Sequence, residues 1–323
     1  MKAIRIHNFG PTEDVLQYED VPAPDPKAGE VLIKVEAASL NRADLGLRKG
    51  AYRISPDQLP VIPGREFAGT IDKLGANVTE FKVGQRVVAY PSLGGYAEYA
   101  VAKTADVRPV PEGITSAQAA AAPTVFLTAW FGLLTDGNLK SGEWLLVQGG
   151  SSGVGTAAIQ IAKHLGAKVI ATTGSEEKAR RLRKLGADVT IDVSQTDFPP
   201  EVMRATNNRG VDVVLEMIGG EVYQKSLQAL APGGRLFSIG GAFGSIPDSP
   251  PALGEGRKAT RFSITNYLKA KPEDFKQLDE ILKLVAEKKF QIPIDKSFPI
   301  SETRAAQRHL EGREHFGKVM LTM

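Results

Sequence analysis

Residues 143–173, EWLLVQGGSSGVGTAAIQIAKHLGAKVIATT, decide the fold. Residues 143–148 are an apolar run of strand length, 149–155 hold four glycines, and 154–165 repeat apolar side chains at the 3.6-residue period of an amphipathic helix. A second apolar strand follows at 168–173. Strand, glycine turn, helix and strand make the βαβ unit of a parallel sheet. The start of its helix carries unpaired N–H groups and the positive end of the macrodipole, which attract a phosphate. Set against G-x-G-x-x-G, the positions are Gly150, Ser152 and Gly155, with Ser151, Gly153 and Val154 completing the turn. The middle glycine, where backbone approaches a pyrophosphate, is replaced by the smallest polar residue. So loose a motif on its own is compatible with a plain tight turn; the flanking strand and helix are what favour dinucleotide binding.

Outward from this unit the chain divides. Residues 1–123 read as short strands (KAIRIH, EVLIKVEA, EFAGTIDKLG, QRVVAY, YAEYAVA) between Pro- and Gly-rich turns, a barrel-like β domain. Residues 124–265 alternate helices with six apolar strands (WLLVQG, KVIATT, DVTID, VDVVLEM, GRLFSIG, ATRFSI), which predicts an α/β, doubly wound parallel sheet. In 266–323 a helix (272–288), a strand, a helix (301–311) and a last strand, GKVMLTM, are expected to rejoin the first domain.

Composition narrows the chemistry. There is no cysteine, which excludes disulfides, thiolate nucleophiles and cysteine-ligated zinc, and four scattered histidines argue against a metal site. No apolar run reaches eighteen residues, so a soluble, cytoplasmic protein with no membrane partner is expected. The 40 basic and 37 acidic residues nearly balance, and the cluster KARRLRK fits a solvated helix face better than a nucleic-acid site.

The segment GEWLLVQGGSSGVGTAAIQIAK, with Gly142, Leu146, Gly153, Gly155, Gln160 and Lys163 in place, resembles the quinone oxidoreductase signature of the medium-chain dehydrogenase/reductase superfamily. The resemblance continues in SLNRADLGLRKGAY, LPVIPGREFAGTIDKLG, LAPGGRLFSIGG and HFGKVML, covering essentially the whole chain. It implies a GroES-like β-barrel interrupted by a Rossmann domain, and a homodimer. Where zinc-dependent relatives carry Cys, His and Cys or Asp, this chain has Asn41, Arg65 and Thr124, not a plausible zinc set. The implied activity is a metal-free transfer of hydride from NADPH to a quinone or enone. Alternatives are reduction of an enoyl thioester or another activated alkene, and a low-turnover NADPH-binding protein of crystallin-like or RNA-binding type.

NAD enzymes usually place an acid at the end of the second Rossmann strand. Here TTGSEEK puts Gly174 and Ser175 there, leaving room for a 2′-phosphate, with Lys178, and more weakly Arg181, as donor. Lys178 could equally pair with Glu176 or Glu177. Relatives often have a Tyr near the third strand that packs on this phosphate; here Val193 stands there. The resemblance places Asn41 and Thr128 beside the active site and nicotinamide ribose, Ile239, Gly240 and Gly241 along the nicotinamide pocket, and Lys318 on the cofactor side, although Lys318 could be a surface lysine. Asp44 reads as a helix cap. Tyr52 resembles a substrate-facing tyrosine able to bond a carbonyl oxygen, with a packed ring as the alternative. Arg48 and Arg65 read as structural ion-pair partners.

Overall fold

The structure, a computed structural model, describes residues 1–51, 54–91, 93–240, 246–247 and 253–323. One unit is made of Met1–Pro123 with Phe275–Met323, the other of Thr124–Asp274.

In the first unit β1 (Lys2–Ile6) pairs antiparallel with β2 (Leu16–Asp20). β3 (Glu30–Ser39), α1 (Arg42–Arg48), β4 (Phe67–Leu74), β5 (Arg86–Ala89), β6 (Tyr99–Lys103), β7 (Val107–Pro109) and α2 (Ser116–Ala121) follow. β3 organises this unit. Its first half pairs with β6, its end with a strand from the far part of the chain, and its other side with β4. Register shifts opposite Leu32/Ile33 and Val35/Ala37 bend the pair, as bulges do, so the sheet curls. Val31, Ile33 and Val35 alternate inward and pack with Ile4, Phe67, Ile71, Val87 and Val107.

The second unit runs α3 (Pro123–Leu134), β8 (Trp144–Val147), α4 (Gly153–His164), β9 (Lys168–Thr173), α5 (Glu176–Lys184), β10 (Val189–Asp192), α6 (Phe198–Ala205), β11 (Val211–Glu216), α7 (Gly220–Gln228), β12 (Leu230–Ser238), β13 (Lys258–Arg261) and α8 (Ile264–Ala270). Its six strands are parallel in the order β10-β9-β8-β11-β12-β13. This is the doubly wound order, whose strand sequence reverses between β8 and β11. Continuous apolar runs suit strands covered on both faces: all six residues of β11 are buried. The chain thus combines a GroES-like β unit with a Rossmann unit.

α9 (Gln277–Ala286), β14 (Ile294–Pro299), α10 (Thr303–Glu311) and β15 (Lys318–Thr322) return to the first unit, where β15 lies between β14 and β3. The expected division after residue 265 falls inside α8, and the observed one lies between Asp274 and Phe275. Aromatic packing explains the difference. Tyr267 of α8 stacks on Phe131 with centroids 4.4 Å apart, and its hydroxyl donates to Asp274 at 2.7 Å, keeping the helix with the second unit.

Candidate active site

In the second unit the glycine turn is stitched to the end of β9. Gly150 N–H donates to Thr172 O at 2.8 Å and Gly149 N–H to Thr172 Oγ1 at 3.1 Å. Ser152 is the N-cap of α4, its Oγ accepting from Gly155 N–H at 3.0 Å. The serine that breaks the glycine fingerprint thus takes one of the helix's orphan donors, while those of Gly153 and Val154 lie at the helix start, where no intrahelical acceptor exists. Gly155 has no alternative: a Cβ there would lie 2.5 Å from Gly149 O and 2.6 Å from Gly150 O, both backbone. Gly150, Ser151, Ser152, Gly153, Val154 and Gly155 are therefore brought together at the carboxyl end of β8.

At the neighbouring end of β9, Gly174 is exposed and a Cβ on it would meet nothing within 4 Å. Ser175 caps α5, accepting from Lys178 N–H at 3.3 Å, and Lys178 is half-buried in the first turn. Glu176 pairs with Arg183 at 2.5 Å. Val193, following β10, is 47% exposed. Ile239 and Gly240 follow β12, with Ile239 N–H donating to Glu216 O at 2.8 Å. Because the strands are parallel, the ends of β9, β8, β11 and β12 share one edge of the sheet, so these nominated residues stand in a row. Thr128 lies buried in α3. Gly241 and Tyr52 lie outside the described residues.

A buried polar network under this edge was not anticipated. Thr172 Oγ1 donates to Gln148 Oε1 at 2.7 Å, and Gln148 Nε2 donates to Ser226 Oγ at 3.0 Å. Glu216, fully buried, accepts from the N–H groups of Ile218 and Gly219 at the approach to α7, and burial raises its carboxyl above the usual range. The signal was present in the sequence: LLVQ, VIAT and VVLE each end an apolar strand on a polar residue.

In the first unit Asn41, the N-cap of α1, lies in a cluster of buried polar side chains. Its Nδ2 donates to Glu66 Oε1 at 2.7 Å, and its Oδ1 accepts from Lys318 Nζ at 2.8 Å. Lys318 Nζ also donates to Glu66 Oε1 at 3.0 Å and Leu40 O at 2.8 Å. All three ammonium donors thus have protein acceptors, and the residue is 4% exposed. This corrects the alternative of a surface lysine: Lys318 is buried, with its three donors on protein acceptors. Gly317 places it, since a Cβ there would lie 2.2 Å from Pro293 O, and Lys318 N–H donates to that same oxygen at 2.9 Å. Asp295 steadies the turn by accepting from Phe316 N–H at 3.0 Å.

Asp44 is a helix cap, as expected, with Oδ2 accepting from Asn41 N–H at 2.8 Å and from Tyr96 OH at 2.7 Å. Burial pushes its carboxyl up to about 6 against the pull of these donors. Arg48, fully buried, donates to Gln307 Oε1, Pro11 O and Glu311, an ion-pair partner holding α1 to α10. Arg65 lies 4.8 Å over the Tyr90 ring.

An alcohol-dehydrogenase-type GroES-like unit with a doubly wound Rossmann unit defines the medium-chain dehydrogenase/reductase class, and comparison with known proteins agrees. Residues 27–112 match the alcohol dehydrogenase GroES-like domain and residues 153–284 the zinc-binding dehydrogenase domain. Quinone oxidoreductase of Mus musculus is 34% identical over 331 residues, spanning 100% of this chain and 98% of that protein. The crystal structure of Escherichia coli quinone oxidoreductase complexed with NADPH superposes with a TM-score of 0.92 at 29% identity, covering 100% of both chains. A stretch of a phenolphthiocerol/phthiocerol polyketide synthase of Mycobacterium tuberculosis is 33% identical over 320 residues, which are 96% of this chain and 14% of that protein. The chain belongs to the quinone oxidoreductase family.

The second domain's family description raises the question of zinc, and the donors do not fit it. The chain has no cysteine, Asn41 is engaged by an ammonium and a carboxylate, and the Arg65 guanidinium sits over a tyrosine ring. Among the described residues no group of three His, Asp or Glu is placed to hold a metal, and no helix is long and apolar enough to cross a membrane.

Proposed function

We propose that the protein is a zinc-independent, NADPH-dependent reductase of quinones and related conjugated carbonyl compounds. The observation that carries this reading is the carboxyl edge of the parallel sheet: a capped helix start behind a glycine turn, beside a strand end where Gly174 leaves open space and no acid stands. An acid at that point would repel a 2′-phosphate. The NADPH in the Escherichia coli relative supports the assignment. The N–H groups of Gly153 and Val154 would take the pyrophosphate, Gly174, Ser175 and Lys178 the 2′-phosphate, and Thr128, Ile239, Gly240 and Gly241 the nicotinamide half.

Bound NADPH supplies a hydride to carbon. The chain's own part is to orient the acceptor and exclude water from it. Asn41 offers an amide N–H to the acceptor's oxygen, and the Tyr52 phenol, or water, gives the proton that completes the alcohol or hydroquinone. Without a Lewis acid, the acceptor must be electron-poor in itself.

The test is NADPH oxidation by metal-analysed, chelator-treated protein with 1,4-benzoquinone and 9,10-phenanthrenequinone. Turnover of both, with ethanol and NADP⁺ inert, is expected; activity that disappears with stoichiometric zinc refutes it. The polyketide synthase similarity favours a second reading, reduction of an enoyl thioester, which a crotonyl thioester in the same assay separates. Tight NADPH binding without turnover of any of these would mark a binding protein instead. A cytoplasmic homodimer completes the proposal, with β13 at the sheet edge as its pairing strand; light scattering after size exclusion tests the dimer.

A further inference from the structure

The buried cluster around Asn41 fixes more than its position. Lys318 Nζ can only donate and the Glu66 carboxylate can only accept, and the Asn41 carboxamide bonds to both. Turned over by half a rotation, the amide would set its N–H against the ammonium and its oxygen against the carboxylate. Two charge-assisted bonds would become two repulsions. The amide therefore has one orientation, dictated by the chemistry of its partners. A primary amide carries two N–H bonds. One is spent on Glu66, the second is what Asn41 has left to give, and the ammonium on its oxygen polarises that bond further.

We propose that Glu66 and Lys318 are positioning residues that hold Asn41 as an N–H donor toward the oxygen of the conjugated acceptor. A buried ion pair, 0% and 5% exposed at its two side chains, then orients the electrophile where the donors do not form a zinc set. This rests on the reading of the protein as a reductase of conjugated carbonyls. With NADPH as the hydride donor, the acceptor's carbon would gain the hydride and its oxygen the negative charge, which the Asn41 N–H would meet. A proton from solvent then neutralises that oxygen.

Removing one charge alone strands the other in the interior and threatens folding, so the test uses Glu66→Gln/Lys318→Met together, in the full chain, with and without Asn41→Ala. The paired change leaves both amide orientations open to Asn41. Expected is a fall in kcat of about tenfold or more for quinone and enone with KM for NADPH unchanged. In the Asn41→Ala background the same pair should cost less than about twofold, because it acts through that side chain. A readout free of activity is the Asn41 side-chain amide in the NMR spectrum, assigned by its loss in Asn41→Ala: a downfield, slowly exchanging proton in wild type that moves upfield in the paired variant. A kcat within about twofold of wild type, an equal loss in both backgrounds, or an unmoved amide signal overturns the proposal. Wild-type protein that turns over no quinone or enone refutes the functional reading itself, and this inference with it.

Discussion

Asp44 should make the protein less stable as the solution becomes neutral, and Asp44→Asn should remove that dependence. Its carboxyl is fully buried, its donors Asn41 N–H and Tyr96 OH are both neutral, and burial outweighs them, raising it from the ordinary 3.8 to about 6. Between about pH 4 and pH 6 the folded chain holds this proton and the unfolded chain does not, so stability falls as pH rises through that window. The contribution is whole below the ordinary value and gone above about 6. At about 1.36 kcal/mol per pH unit the difference is about 3 kcal/mol. An asparagine cannot ionise yet keeps an oxygen for both donors. Urea denaturation followed by circular dichroism should therefore show the variant more stable than wild type by up to about 3 kcal/mol at about pH 7, and within about 1 kcal/mol of it at about pH 4. A difference equal at both pH values, or a variant weakened most at neutral pH, would refute the reasoning.

Gly155→Ala drives a methyl into two backbone carbonyls with no flexible side chain to yield, so it should cost about 1–3 kcal/mol in denaturation and weaken NADPH binding in fluorescence titration. Ser152→Ala should lose about 1 kcal/mol of stability with its helix cap, whereas Ser152→Gly should lose only a few tenths. Lys178→Glu should weaken NADPH by about 1.5–3 kcal/mol and leave NADH nearly unchanged; equal losses for both would remove it from the 2′-phosphate site.

What could be read in advance follows from range. The central strands β8, β9 and β11 of the Rossmann unit announce themselves as apolar runs, because strands covered on both faces favour apolar residues throughout. β2 and β7 did not, since LQYED is mostly polar and VRP is three residues ending in proline. The glycine turn and the helix it opens were legible because their residues are adjacent. The Asn41, Glu66 and Lys318 cluster was not: its bonds span 25, 252 and 277 residues, and nothing at HFGK says which distant side chain the lysine meets. Resemblance singled out Asn41 and Lys318 separately, but not that Glu66 joins them in one buried cluster. Tyr52 and Gly241 keep their standing from sequence alone.

β15, slotted between β14 and β3, also imposes an order on biosynthesis. Residues 1–123 leave the ribosome with the flank of β3 that β15 will occupy still bare, and the cluster at Asn41 still lacks its ammonium. Residues 124–274 form a continuous unit that can close first, since domains fold as they emerge. At roughly 5–20 residues per second the nascent barrel then waits on the order of 10–40 s for Lys318. During that interval the chain presents an open strand edge beside the Glu66 carboxylate that still awaits Lys318, and it is then, rather than once folded, that the protein has most need of a chaperone.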